Sequence, residues 1–246
     1  MISIVVPFYN EEKRMHEYFD PFFERIRQQL DDFELIAVND GSTDQTVALL
    51  RERAAKEPRL IIAGYEKNQG RGAAVRAGVL QARGELVWET DADGSYDVSQ
   101  CKAFAEYLEA HPDCDVVIAS RENKHSHAVV NQPPLRVLAG KVFHALFRLV
   151  TGGSFSDVMA GCKMYRRDAA KVIFAHQYDN RYLGAAETVY AAGKLGYTVH
   201  ELPVTWTDVS GAHIKFITDT IRTLKGLTGI GIRTLEGKYM RSSNQS

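Results

Sequence analysis

Between Ile2 and Ala119 the chain repeats one pattern, a short β-branched apolar run followed by a stretch with helical spacing. No other feature of the sequence constrains the fold as tightly. Strands are predicted at 2–6, 35–38, 60–63, 85–89 and 115–119, and helices at 12–30, 46–56, 73–82 and 100–110. The strand runs are brief and almost continuously apolar, as parallel strands buried on both faces are. Parallel neighbours need crossover helices, and crossovers are right-handed, so the pattern implies a doubly wound sheet. Ligands of such sheets sit beyond the carboxyl ends of the strands. The second half is less regular, with helices predicted at 135–150, 181–195 and 214–227, a strand at 198–206, and a polar loop near the site at 122–134.

Composition narrows the function classes. A chain of 246 residues, 45% apolar and 25% charged, can bury a sizeable core. Its 30 basic and 31 acidic residues leave a net charge of −1, which gives no reason to expect nucleic acid as a partner. Cys101, Cys114 and Cys162 lack any C-x-x-C spacing, so a reducing compartment is expected rather than a disulfide scaffold or a structural zinc. No apolar run reaches the ~18 residues of a membrane-spanning helix. The first run is too short for a signal peptide, and a cytoplasmic protein is expected.

The chemistry-bearing residues gather where the predicted strands stop. Asp40-Gly41-Ser42 follows the second strand. It reads as a turn, with Ser42 and Gln45 forming a helix capping box, and equally as a strand-end carboxylate for the base or ribose of a nucleotide. Gly70-Arg71-Gly72 precedes a helix, but Val75 stands where a dinucleotide loop needs its third glycine, so nicotinamide binding is rejected. Small residues and Arg71 at a helix start still suit a phosphate or sugar. Asp91-Ala92-Asp93 leaves the fourth strand. Carboxylates at i and i+2 can converge on one hard divalent cation that bridges diphosphate oxygens, although an acidic turn has the same spelling.

Together Pro7-Phe8-Tyr9-Asn10-Glu11, Asp40-Gly41-Ser42 and Asp91-Ala92-Asp93 resemble the inverting GT-A glycosyltransferases of family 2. The chain is most similar to the polyprenyl-phosphate branch of that family, the dolichyl-phosphate β-glucosyltransferases and dolichol-phosphate mannose synthases. Lys13-Arg14, Ser120-Arg121, Arg136 with Phe143-His144, and Asp157 with Gly161 and Lys163 extend the match. Arg181 with Glu187 and Trp206 with Gly211 and Lys215 carry it to residue 233. Three positions depart from the family's pattern: Asn39 and Ala185, where an acidic residue is usual, and Cys162, where an aromatic is.

The resemblance implies an α/β GT-A fold, Rossmann-like, with a mostly parallel central sheet flanked by helices. It implies transfer of a sugar from a nucleotide diphosphate sugar, UDP-glucose first, to a polyprenyl phosphate. GDP-mannose as donor, a saccharide hydroxyl as acceptor, and a catalytically silent sugar-nucleotide-binding protein stay open. Donor contacts fall on Pro7, Tyr9, Asn10, Glu11, Asp40, Arg71, Asp91, Ala92 and Asp93, and Mg²⁺ or Mn²⁺ on Asp91, Asp93 and Ser95. Acceptor-phosphate contacts fall on Arg121, Arg136, Lys163, His213 and Lys215. The catalytic candidates are Asp93, Arg121, Lys163, Asp157 and Glu187, with Asp157 or Glu187 as base if the acceptor is a hydroxyl.

A phosphate monoester, with a second pKa of about 6, is already ionised near neutral pH and needs no base. Two unit anions ~4 Å apart repel by about 4 kcal/mol at an effective dielectric of about 20, so cations beyond the metal are expected. A lipid acceptor also demands contact with a membrane surface. One catalytic domain is expected over 1–212, and 213–246 reads as a basic amphipathic extension with six Lys or Arg against two acids. Ile214, Ile217, Ile221, Leu224 and Leu227 recur there at helical spacing. The segment reads either as an interfacial helix at the cytoplasmic membrane face or as a core-facing helix with a solvated basic side. A small membrane-embedded partner would be another anchor.

Overall fold

A computed structural model of the chain describes residues 1–128, 134–153, 155–207 and 216–240, without the side chains of 134–139, 144 and 216–223. Strands β1 (Ile2–Phe8), β2 (Phe33–Asp40), β3 (Leu60–Tyr65), β4 (Leu86–Glu89) and β5 (Val116–Ser120) form as the apolar runs predict. A two-residue strand β6 (His127–Ala128) follows, then β7 (Lys163–Arg166), β8 (Val199–Pro203) and β9 (Thr205–Trp206). Seven strands make one sheet in the order β3-β2-β1-β4-β7-β5-β8, and β6 pairs with β9 outside it. The pairings are parallel except along β7, which runs antiparallel to both β4 and β5. The order turns back at β1, whose neighbours are β2 and β4. A ligand crevice belongs beyond the carboxyl ends of such strands, at that switch point.

The helices are α1 (Asp20–Gln29), α2 (Thr46–Ala54), α3 (Arg71–Gln81), α4 (Val98–Ala110), α5 (Pro134–Thr151), α6 (Arg167–Ala175), α7 (Gly184–Lys194) and α8 (Phe216–Leu235). Successive strand residues point to opposite faces, so one sheet serves two cores. Ile4, Val6, Phe8, Leu35 and Trp88 pack with Phe22 and Ile26 of α1 and Phe104 and Leu108 of α4. Val5, Ile36, Val38, Val87 and Ile118 pack with α3, α6 and α7. Burying each such side chain fully is worth about 1.5–3 kcal/mol. α3 lies unusually close to the sheet, because a Cβ at Gly78 would stand 2.5 Å from Val5 Cγ1 and 2.8 Å from Val38 Cγ2. Leu227, Ile230 and Tyr239, from the expected extension, are buried in the second core. Among the described residues no helix is long and apolar enough to cross a membrane.

Several expectations change in detail. The helix predicted at 12–30 opens with a 3₁₀ turn (Glu12–Arg14) and a π turn (Met15–Phe19) before α1. β7 and α6 were not predicted, because charged Lys163 and Arg166 bracket the strand and hide its apolar centre. The strand predicted at 198–206 divides at Val204 into β8 and β9. The predicted capping box does not form. Ser42 Oγ instead accepts the Asn10 N–H (3.1 Å), and Asp44 Oδ1 serves the start of α2 by accepting from Thr46 N at 3.0 Å.

Candidate active site

A cavity of about 420 Å³ opens where β1, β2 and β4 end. Pro7, Phe8, Tyr9, Glu11 and Arg14 line it from the β1 side, Asp40, Asn68, Gly70 and Arg71 from β2 and α3, and Asp91, Ala92 and Asp93 from β4. Of the nine residues expected at the donor, only Asn10 is outside this lining. Asn10 stitches the rim instead. It adopts a left-handed φ of 55°, which Asn tolerates better than most residues, and its Oδ1 accepts from Thr43 N at 2.8 Å.

Asp40 ends β2 almost fully buried, and its carboxylate organises the next loop. It accepts from Asn68 Nδ2 (2.8 Å), Gln69 N (2.7 Å) and Gly70 N (3.0 Å). Three of about four acceptor positions are thereby used, which leaves little capacity for a ligand. Asp40 still lines the cavity, although the Ser42–Gln45 capping box of the turn reading is absent.

Arg71, at the first turn of α3, is held between two carboxylates. It donates from Nε to Asp91 Oδ1 at 2.8 Å and from Nη1 to Glu89 Oε1 at 2.9 Å. Glu89 is buried and also accepts from the Tyr165 hydroxyl at 3.1 Å. Burial alone would raise the Glu89 carboxyl, but the charges of Lys163 and Arg71 hold it below its ordinary range. Asp91 goes the other way. Burial pushes its carboxyl up, Arg71 opposes, and the neighbouring Asp93 charge adds to the rise. The backbone at 161 approaches so closely that a Cβ on Gly161 would stand 2.0 Å from Asp91 Oδ2.

Asp93 is 24% exposed. Its Oδ1 accepts from Ser95 N (2.9 Å) and Ser95 Oγ (2.6 Å), so Ser95 orients Asp93. Arg14 spans the acidic mouth, 3.5 Å from Asp93 Oδ2 and 3.5 Å from Glu11 Oε2. Burial raises the Glu11 carboxyl; Arg14 opposes, and Asp93 and Asp91 add to the rise. Four carboxylates, Glu11, Asp40, Asp91 and Asp93, thus line one cavity against the two guanidiniums of Arg14 and Arg71, an excess of negative charge that favours a further cation. Among the described residues no group of three or more His, Cys, Asp or Glu is placed to hold a metal by protein ligands alone. A divalent cation held by one or two carboxylates, water and phosphate oxygens needs no such group. The hard oxygens of Asp91 and Asp93 fit it.

The expected acceptor residues lie elsewhere. Arg121 donates to Asp157 from its backbone N (3.1 Å), Nε (2.6 Å) and Nη2 (2.9 Å), and its guanidinium lies 5.7 Å from the Trp206 ring centre. Asp157 is buried, and Glu201 fixes its loop by accepting from Ser156 N and Asp157 N. Lys163 has no exposed surface, and its Nζ donates to Ala160 O at 2.7 Å behind the cavity. Burial lowers its pKa, against the pull of Glu89. Glu187 does not reach the cavity. Its buried carboxylate accepts from Tyr178 N, Asp179 N, Arg233 and Tyr239, which closes it as a base toward a ligand. The side chain of Arg136, together with His213 and Lys215, lies outside the described residues.

Sequence reasoning gave no role to Asn68 or Glu89 and quoted Arg14 without one. Glu89 carried a signal, since a charge closing the apolar run Leu86-Val87-Trp88 must be paired once buried. Asn68 carried none.

Comparison with known proteins adds a lineage to this geometry. The family described as Glycosyl transferase family 2 matches residues 3–174. Dolichyl-phosphate beta-glucosyltransferase ALG5C of Trichomonas vaginalis is 32% identical over 221 residues, which cover 87% of this chain and 66% of that protein. The chain thus spans slightly under two thirds of that relative's length. The dolichyl-phosphate beta-glucosyltransferase of Homo sapiens is 28% identical over 249 residues, 97% of this chain and 77% of its own. Glucosyl-3-phosphoglycerate synthase from Mycobacterium tuberculosis, in complex with Mn²⁺, UDP and glucosyl-3-phosphoglycerate, has a TM-score of 0.63. It is 18% identical and covers 99% of this chain and 81% of its own, and the likeness is one of fold.

Proposed function

The chain belongs to glycosyl transferase family 2 and has the GT-A fold, and from that premise we propose that it transfers glucose from UDP-glucose to a polyprenyl phosphate with inversion. One observation carries the reading: Asp91 and Asp93 are delivered by the end of β4 to a cavity at the switch point of the sheet. The relatives named for glucose transfer to dolichyl phosphate support the choice of sugar and acceptor.

The chain's residues divide the work. Phe8 and Asp40 bound the nucleotide end of the cavity, and Arg71 and Arg14 bring positive charge to its diphosphate end. Mg²⁺ or Mn²⁺ on Asp91 and Asp93 would neutralise the departing diphosphate. An oxygen of the acceptor phosphate attacks the anomeric carbon from the opposite face as the bond to the diphosphate breaks. Arg121, aimed by Asp157, serves the acceptor phosphate, for which a planar guanidinium suits bidentate contact. Asp157 is occupied by Arg121 and Glu187 by four donors. That supports an acceptor which needs no base, a phosphate rather than a sugar hydroxyl.

Contact with a lipid surface falls to α5 and α8, which pack on each other and expose Val142, Leu149, Leu224, Ile232 and Leu235 beside Lys141, Arg148 and Lys225. The enzyme is then peripheral on the membrane. The test supplies purified protein with Mn²⁺ or Mg²⁺, a polyprenyl phosphate, and UDP-glucose or GDP-mannose in separate arms. Metal-dependent appearance of glucose in the organic phase, abolished by Asp93→Ala, is the expected result. Mannose transfer alone would change the donor, and transfer only to a saccharide would overturn the acceptor.

A further inference from the structure

Glu187 has no exposed surface, and both its oxygens are committed. Oε2 accepts the backbone N–H groups of Tyr178 (2.8 Å) and Asp179 (2.5 Å). Oε1 accepts from Arg233 Nη2 at 2.8 Å and from the Tyr239 hydroxyl. Two donors belong to the loop before α7, and two to the end of α8 and the turn after it.

That same loop closes the start of α3. The first N–H groups of a helix lack partners within it. Here the Arg181 carbonyl accepts from Gly72 N at 3.2 Å and the Asn180 carbonyl from Ala73 N at 2.9 Å. Arg76 donates back to Gln177 O and Asn180 Oδ1, each at 2.8 Å. The fit leaves no slack, since a Cβ at Gly70 would stand 2.5 Å from Asn180 O and one at Gly72 2.6 Å from Asp179 O. Arg71 lies between these glycines and holds Glu89 and Asp91. Hydrogen bonds, joined by one or two residues of backbone at each step, therefore lead from Tyr239 through Glu187, the 178–181 loop and the first turn of α3 to the aspartate at the donor cavity.

We propose that Glu187 is a positioning residue. By fixing the 178–181 loop against the first turn of α3, it makes the placement of Arg71 and Asp91 depend on the bonds that Arg233 and Tyr239 bring to Glu187 from the C-terminal segment. The inference rests on that cavity being the donor site. Closure of those two bonds on Glu187 then strengthens donor binding, and donor binding strengthens the closure, because linkage between two equilibria is reciprocal. Glu187 touches no substrate in this scheme.

The test compares two conservative variants of the full chain. Tyr239→Phe removes one donor to Glu187 and keeps the ring against Tyr178 and Tyr190. Tyr190→Phe also removes a bond between α7 and α8, its 2.7 Å contact with Thr234 Oγ1, but one that bypasses Glu187. Hydrogen–deuterium exchange of ligand-free protein reads the amides of Gly72 and Ala73, and steady-state kinetics reads KM for each substrate. Tyr239→Phe is expected to speed that exchange and to raise KM for UDP-glucose about fivefold or more, the lower end of couplings between linked sites. KM for the polyprenyl phosphate stays put, and Tyr190→Phe changes neither readout. Equal effects from both variants, or a Tyr239→Phe protein with a lower Tm and unchanged protection at Gly72 and Ala73, would overturn the proposal. Faster exchange in Tyr239→Phe with no nucleotide-sugar binding by either protein would uphold the link and overturn the donor reading.

Discussion

At Gly161 the whole constraint is one missing methyl. A Cβ there would meet Asp91 Oδ2 at 2.0 Å and Arg71 Nη2 at 3.1 Å, so the carboxylate must move. Gly161→Ala is expected to cut kcat/KM for the donor by about 10²-fold, the effect of roughly 1 Å of misplacement at a reacting centre. A loss confined to Tm with donor kinetics intact would show that Asp91 does not depend on this contact. Asp157 makes a different prediction. Removing one partner of a buried ion pair costs about 3–5 kcal/mol, and Arg121 is 27% exposed, so Asp157→Ala should fall toward the low end. Urea unfolding measures it, and an unchanged midpoint would refute the pair's structural role. Asp40, Asp91 and Asp93 were legible because each ends or leaves a predicted strand, and strand ends converge in this class of sheet. Glu187 was not. Its spacing names a carboxylate but not the side from which donors reach it, and those donors lie 8, 9, 46 and 52 positions away in sequence. For Arg71 the sequence offered a phosphate or sugar contact but not the two carboxylates, Glu89 and Asp91, that hold it from 18 and 20 positions away.

Whole elements were legible where burial wrote the pattern. The five parallel strands declared themselves through apolar runs, whereas β7, half charged and inserted antiparallel between β4 and β5, gave no period to read. The connection between α2 and β3 makes a testable statement about pH. Hydrogen bonds from Arg59 draw the Glu57 carboxyl from 4.5 down to about 2, against the effect of burial. The folded pKa lies below the unfolded one, so this contribution is complete above about pH 4.5 and is lost as pH falls toward about 2. Glu57→Gln should flatten that part of the acid limb, seen as a smaller change in unfolding free energy between those two values. An acid limb of the same slope in both proteins would mean that Arg59 does not hold Glu57 in the folded state.

For the whole molecule the proposed function raises the question of how a chain with its proposed donor cavity at the carboxyl ends of its central strands would meet a lipid. α5 and α8 cross where Val150 Cγ1 lies 3.8 Å from the place of a Cβ on Gly231. Leu149 and Leu235, on these two helices, are 82% and 91% exposed. Side chains so exposed contribute little to folding, so replacing them leaves Tm nearly unchanged. At a membrane each would recover about 1.5–3 kcal/mol on burial, which is roughly tenfold or more in partitioning per residue. The double variant Leu149→Glu, Leu235→Glu is therefore expected to lose about 10²-fold or more in sedimentation with anionic vesicles. Its turnover of a short-chain polyprenyl phosphate in detergent should stay at the wild-type level. Exposed Arg148 and Lys225 add an electrostatic share that salt screens over about 8–10 Å, so wild-type binding weakens with ionic strength while the apolar share persists. Vesicle binding that survives both glutamates would remove α5 and α8 from the interface and leave an anchoring partner as the way to the lipid. Binding that fails while detergent turnover holds would instead separate two tasks within one small enzyme: the strand ends bind the donor, and the helix pair decides where the acceptor is met.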